Sequence, residues 1–328
     1  MRYTLQVVRY ILLLTLVLVS RLPQVRAADD MYASVVQVGV QRAGGRFAIG
    51  SAVVISPGIL VTACHGTRDA VSITVMRGVE QFPANVQSEY MQHDLCILSA
   101  PSIRGPVALF DSQRSLSVGD EVIAVGFSGG FRLRTSVGQV KAMYKYDGAR
   151  VIRVSASFTR GASGGGLFNR AGHLVGILSF KSTAGDDHNY AMPVDWLSDT
   201  NLQRPVSGIE PVRPFWEQAE DLQPFFLRGA WLEGTKDWTG LANFAEQWTL
   251  AEPSDAEAWI SLARANEKLG RWREAREALR RAASLDPQHA EVQLLQISDK
   301  SRLIDANRVH HTDSGVVSTQ TARDESPN

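Results

Sequence analysis

Cysteine is scarce in this chain: Cys64 and Cys96 are the whole complement of its 328 residues. Two cysteines cannot build the disulfide framework of a small stapled scaffold, and a chain of this length has room for about two domains, each burying its own core. A basic excess is missing as well. The 34 Lys and Arg residues are balanced by 34 Asp and Glu, so nothing indicates a nucleic-acid partner. Compositional extremes are absent too, since 44% apolar and 21% charged residues exclude bulk disorder and collagen-like order. The His310-His311 pair is too short for a metal site, and no metal or cofactor is expected.

What the sequence does have begins with a leader. Arg2 and Arg9 precede the apolar run from Ile11 to Val19, and a more polar stretch ends in Val25-Arg26-Ala27. This is the pattern of a cleavable secretory signal, with cleavage expected after Ala27. The run is shorter than the about 20 residues that span a bilayer, so no span is expected in the mature chain; an uncleaved N-terminal anchor is the alternative. No cysteine at the cleavage point suggests a lipid anchor. Without the leader's four arginines, 30 basic residues face 34 acidic ones. The expected location is secreted or periplasmic, where a disulfide can persist.

Short β-rich segments punctuated by glycine fill residues 28–200. Ser34–Val40, Gly50–Ile55, Ile59–Thr62, Val71–Met76, Leu95–Leu98, Glu121–Val125 and Gly138–Met143 are separated by turn residues, a spacing that predicts a closed all-β barrel or sandwich. Pro101–Gly119 reads as the connector between two halves. Residues 201–221 hold Pro205, Pro211 and Pro214 and read as a linker. Thereafter the apolar period becomes helical: Trp259, Leu262, Ala263, Ala275, Leu279 and Ala282 lie at helix spacing, Gly270 interrupts and Pro287 ends the run.

A repeat of about 34 residues emerges on self-alignment. Phe225 falls on Trp259, Trp238 on Trp272 and Pro253 on Pro287. The unit Ala256–Gln288 resembles a tetratricopeptide repeat, with Ala263 and Asn266 as departures from that family's glycine and tyrosine. Leu222–Ser254 is a poorer copy and a third unit from Ala290 is partial, so the helical region is set at 222–307 and the polar tail at 308–328.

The chemistry centres on GASGGG, residues 161–166. Glycines on both sides of Ser163 let the chain turn sharply and aim backbone N–H groups at one point; a flexible loop is the alternative. A serine nucleophile needs a histidine base held by a third group. Of seven histidines, only His65 directly follows an apolar strand, in GSAVVISPGILVTACHG. With TACH around His65, HDLCIL around Asp94 and GASGGG around Ser163, the chain resembles the trypsin-like serine proteases in motif and in the order His, Asp, Ser. Within them it is most similar to the bacterial HtrA type, through SVGDEVIAVGFSGG at 117–130 and HNYAMPVDWL at 188–197.

The resemblance covers Ala33 to Leu197. It implies a chymotrypsin-like double six-stranded all-β barrel, followed here by a small all-α helical-repeat domain. Position by position it makes Ser163 the nucleophile, His65 the base, Asp94 its orienter, and the N–H groups of Gly161 and Ser163 the oxyanion hole. His93 is expected at the surface. Ala162 replaces the aspartate that activates digestive enzymes, and Ser157, the candidate specificity-pocket residue, argues against cleavage after Arg or Lys. Because the triad would bring Cys64 and Cys96 together, a disulfide between them is expected; two buried thiols are the alternative. HtrA proteases usually continue into PDZ domains. Here the helical repeats would recruit a protein partner or substrate, or simply cap the protease. The expected function is a serine endopeptidase acting on protein or peptide substrates; a catalytically silent scaffold binding partners through the repeats is the alternative.

Overall fold

The computed structural model describes residues 29–185, 188–197 and 213–287. The leader and its cleavage point, residues 201–212, the partial third repeat from Ala290, the tail and the His310-His311 pair lie outside the described residues. The chain forms two compact units, Met1–Lys236 and Asp237–Asn328.

The first unit holds two closed antiparallel barrels of six strands. One is built from β1 (Val35–Arg42), β2 (Phe47–Ser56), β3 (Ile59–Ala63), β4 (Ala70–Arg77), β5 (Glu80–Tyr90) and β6 (Leu95–Ser99), in the closed order β1-β2-β3-β6-β5-β4. The other is built from β7 (Glu121–Gly126), β8 (Arg134–Tyr146), β9 (Ala149–Val154), β10 (Gly166–Asn169), β11 (Leu174–Lys181) and β12 (Asn189–Pro193), closed as β10-β11-β12-β9-β8-β7. This is the chymotrypsin-like double barrel that the motifs imply. Closure gives each strand two neighbours, which limits the edge left exposed.

Alternation fills each interior. Val36, Val38 and Val40 of β1 point into the first barrel with Ala52, Leu60 and Val75, as the two-residue strand period requires. Val122, Val140, Ile152, Val154 and Leu167 fill the second. The β8–β9 hairpin turns on Asp147 and Gly148, both with positive φ (39° and 79°), the Asp-Gly pair that a tight primed turn favours.

All seven segments read as strands lie on strands, and the interval between β6 and β7 carries a 3-10 turn, Gln113–Ser115, and an isolated bridge, Phe110 to Leu174. Strands β5, β9, β10 and β11 were not singled out, and β12 only through the resemblance at 188–197. The β5 segment EQFPANVQSEY buries only Ala84 and Ser88, and its Pro83 suppresses the strand signal. In β9 the buried side chains include a charged one, Arg153.

The first unit also contains a helix beyond the barrels. After 3-10 turns at Phe215–Glu217 and Glu220–Leu222 comes a helix, Phe225–Gly234; with the four-residue helix α1 (Cys64–Thr67) counted first, it is α2. Its Phe226 ring stacks on Tyr144 of β8 at 4.5 Å between centroids. Its Glu233 pairs with Arg153 of β9 at 3.2 Å, and the Ala230 carbonyl lies 2.9 Å from His188 Nε2. Burial opposes the Arg153 charge, but Tyr144 and Glu233 outweigh it and keep the guanidinium ionised. Removing Glu233 would leave that charge unpaired in the interior.

The second unit is helical: α3 (Trp238–Ala251), α4 (Ala256–Lys268) and α5 (Trp272–Leu285). Asp237 caps α3 through the Gly240 N–H and Asp255 caps α4 through the Glu257 N–H, satisfying otherwise orphaned donors. Gly270, at φ 75°, turns the chain between α4 and α5. Ala263, Ala275, Ala278 and Leu279 form the seam, flanked by Trp259 and Trp272; small residues there let the two helices approach closely.

Candidate active site

His65 sits where a strand becomes a helix. β3 ends at Ala63, and the short helix α1 that follows exposes His65 at its first turn. Opposite, the chain leaves a 3-10 turn and enters β6 through Asp94, whose backbone is left-handed at φ 58°. Pairing of Ala63 with Leu95 and of Thr62 with Cys96 joins the two strands. The Cys64–Cys96 disulfide clamps them, with Cα atoms 4.9 Å apart.

The Asp94 carboxylate is wholly buried and takes three donors. Its Oδ1 accepts the His65 backbone N–H at 2.7 Å and its Oδ2 lies 2.7 Å from His65 Nδ1. The Ser179 hydroxyl also donates to Oδ2. A carboxylate can only accept, so Nδ1 carries a proton and Nε2 keeps its lone pair. Burial lowers the His65 pKa, but the charge and hydrogen bond of Asp94, helped by the charge of Glu217, outweigh it; the imidazole lies above its ordinary value.

The turn that carries Ser163 is shaped by glycine. Thr159 to Ala162 forms a turn closed by the Ala162 N–H to the Thr159 carbonyl at 3.0 Å, with Gly161 at φ 93°. A Cβ on Gly161 would lie 2.5 Å from the Phe127 carbonyl oxygen, so only glycine fits. The Arg160 carbonyl accepts from the Gly129 N–H at 2.8 Å; because the peptide is planar and trans, the Gly161 N–H points the opposite way. Among the described residues, the N–H groups of Gly161 and Ser163 make no hydrogen bond. On the far side, Gly164 (φ 87°) donates to the Leu178 carbonyl at 2.7 Å, while the Ser163 carbonyl accepts from Ser51 at 2.9 Å.

The Ser163 hydroxyl donates to the Ser179 carbonyl at 2.9 Å. Ser179 therefore touches both Ser163, through its carbonyl, and Asp94, through its hydroxyl. This connector escaped the sequence reading. Its one signal is a serine inside the apolar run GILSF, at a fully buried strand position. Trp216 and Glu217 also escaped it: the Trp216 ring meets the His65 ring edge-on at 6.2 Å, and Glu217 pairs with Arg68 at 3.0 Å.

Two other expectations are tested by position. Ser157 is exposed, and its N–H bonds the Ser136 hydroxyl at 2.9 Å. His93 is not a surface residue but fully buried. The left-handed turn at Asp94 sends the neighbouring side chains apart, and His93 stacks on Tyr90 at 3.9 Å and pairs with Asp147 at 2.9 Å. Among the described residues, no group of three His, Cys, Asp or Glu side chains could hold a metal ion, and no helix is long and apolar enough to cross a membrane.

Known proteins bear on this geometry. The trypsin-like peptidase domain family matches residues 50–177 and the tetratricopeptide repeat family matches residues 256–289. Serine endoprotease DegS of Haemophilus influenzae is 31% identical over 187 residues, covering 53% of this chain and 55% of its own length. A probable periplasmic serine protease of the same organism, do/HhoA-like, is 29% identical over 177 residues, covering 50% of this chain and 38% of its own. The solved HtrA-type protease AlgW with a tripeptide is 24% identical, with a TM-score of 0.48 over 52% of this chain and 60% of that one. The chain thus spans about half the length of the first of these relatives and 38% of the second.

Proposed function

Because the chain carries a trypsin-like peptidase domain with HtrA-type relatives, followed by a tetratricopeptide repeat, we propose that it is a serine endopeptidase. The observation that carries this is the continuous path from Ser163 through Ser179 and Asp94 to His65. Ser163 attacks the scissile carbonyl, and His65 Nε2 takes its proton and returns it to the leaving amine. Asp94 holds the imidazole in that tautomer and supports its positive charge. The Gly161 and Ser163 N–H groups receive the oxyanion, each such donor being worth about 3 kcal/mol. The hydroxyl has one proton, now given to the Ser179 carbonyl, so attack requires rotation about the Ser163 Cα–Cβ bond toward His65.

The substrate is an extended peptide. β11 runs on to Lys181, beyond Ile177 where its register with β10 ends, and a peptide can add along Ser179 and Phe180 as a strand. Ala162 leaves no N-terminal salt bridge for activation, and Ser157 supplies no negative charge to attract Arg or Lys, so the cleaved position is a small or medium apolar residue. The leader pattern at 1–27 and the Cys64–Cys96 disulfide support a secreted or periplasmic protein, and the helical repeats recruit a protein partner or substrate.

The orientation of Ser163 toward Ser179 also suits a silent scaffold. Labelling by a fluorophosphonate probe separates the two, with Ser163→Ala as control. Labelling that depends on Ser163 supports the protease; its absence, together with no cleavage of casein, leaves the scaffold.

A further inference from the structure

We propose that Trp216, which lies outside both barrels and the matched peptidase region, is a specificity-determining residue: it forms an aromatic wall that restricts the substrate position next to the scissile residue to small side chains. The inference rests on the protease reading of the same site.

Trp216 is held on every side that matters. Phe215 before it is fully buried, packed against Tyr146 at 4.8 Å and Phe226 at 5.8 Å between centroids. Glu217 after it is tied to Arg68, three residues past His65. Its own carbonyl accepts from the Gln223 side chain at 3.2 Å. The indole stacks on Phe180 at 4.3 Å and 18°, and meets His65 edge-on at 6.2 Å and 85°. Both separations are contact distances for aromatic rings, so no side chain fits between Trp216 and either partner.

Phe180 directly follows Ser179, whose carbonyl marks where the nucleophile hangs. A peptide added along Ser179 and Phe180 with its scissile carbonyl at Ser163 therefore carries its next residue past Phe180, about 3.3 Å further along the strand. That residue meets Trp216. Glycine or alanine passes; leucine or phenylalanine must displace a ring fixed by an aromatic stack and an ion pair. The wall is not a plug, because the rings Trp216 meets are those of His65, Phe180 and Phe215, while the Gly161 and Ser163 N–H groups stay unpaired among the described residues.

The test uses the full chain and fluorogenic Ala-Xaa-Val peptides cleaved after Val, with Xaa as Gly, Ala, Leu or Phe. The native protein should favour Ala over Leu at Xaa by at least about tenfold in kcat/KM, the scale of discrimination by apolar pocket size. Trp216→Ala should bring that ratio near one by raising the Leu and Phe peptides, and Trp216→Phe should give an intermediate ratio. An unchanged ratio, or an equal rise for all four peptides as from a removed plug, overturns the proposal. Calorimetric binding of acetyl-Ala-Xaa-Val amides to Ser163→Ala and to Ser163→Ala/Trp216→Ala reads the same selectivity without turnover. If no Ser163-dependent labelling occurs, the protease reading falls, while a Trp216-dependent preference for Ala over Leu in binding still upholds the wall and its absence still sinks it.

Discussion

Replacing Asp94 with asparagine probes the site at its most determined point. The carboxylate accepts from the His65 backbone N–H, from the His65 ring and from the Ser179 hydroxyl, two of these at 2.7 Å. Asparagine offers one oxygen and one NH2 group in the same shape. With the NH2 at the Oδ1 place, it would face a backbone N–H that cannot turn away. With the NH2 at the Oδ2 place, the Ser179 hydroxyl can rotate and His65 can present a bare Nδ1. The second arrangement wins, and it moves the imidazole proton to Nε2, the nitrogen that must receive the Ser163 proton. The variant is therefore folded but carries the wrong tautomer. Loss of base catalysis of this kind lowers the rate about 10⁴-fold, near 5.5 kcal/mol of transition-state stabilisation. The assay is the rate of fluorophosphonate labelling of Asp94→Asn against the native chain, with denaturant unfolding to confirm the fold. A labelling rate within tenfold of native would refute the reasoning.

Three further outcomes follow from the same geometry. In the proposed mechanism neutral His65 is the active form, and its pKa is raised, so activity should be low below that pKa and climb as pH rises through it; Glu217→Gln removes one charge that raises it and should move the climbing limb of kcat/KM to lower pH. The disulfide closes a span of 32 residues, so Cys64→Ala/Cys96→Ala should lose about 4 kcal/mol of unfolding free energy by the loop-entropy relation, read from urea curves; free thiols in the unreduced, denatured protein would contradict the bridge. Gly164→Ala places a Cβ 2.1 Å from the Ser51 carbonyl oxygen at φ 87°, a backbone clash that should cost about 3 kcal/mol or more and abolish Ser163-dependent labelling.

How much of this was legible depends on where the physics is local. The His65, Asp94 and Ser163 motifs are short runs whose chemistry is written in adjacent residues, and the valine-rich strands announce themselves by composition. The helical period broken by Gly270 likewise ends up as α4 and α5. Strand β5 was hidden because closure of the barrel, rather than its own apolar face, makes it a strand: it pairs with β4 and β6 while burying little. His93 misled because sequence adjacency to Asp94 says nothing about direction, which one left-handed residue reverses.

Ser179, Trp216 and Glu217 were invisible for a deeper reason. Each acts through a partner distant in sequence, 85 residues away for Ser179 and Asp94 and 149 for Glu217 and Arg68. The prolines around 205–214 read as a linker because proline breaks periodicity, yet Pro214 opens the turn that carries Phe215 into full burial. A proline-rich stretch lacks regular structure but need not lack contacts: an aromatic pair such as Phe215-Trp216 within it is costly to leave in water. That cost is the physical reason the segment settles on Phe180 and Tyr146, and therefore beside His65.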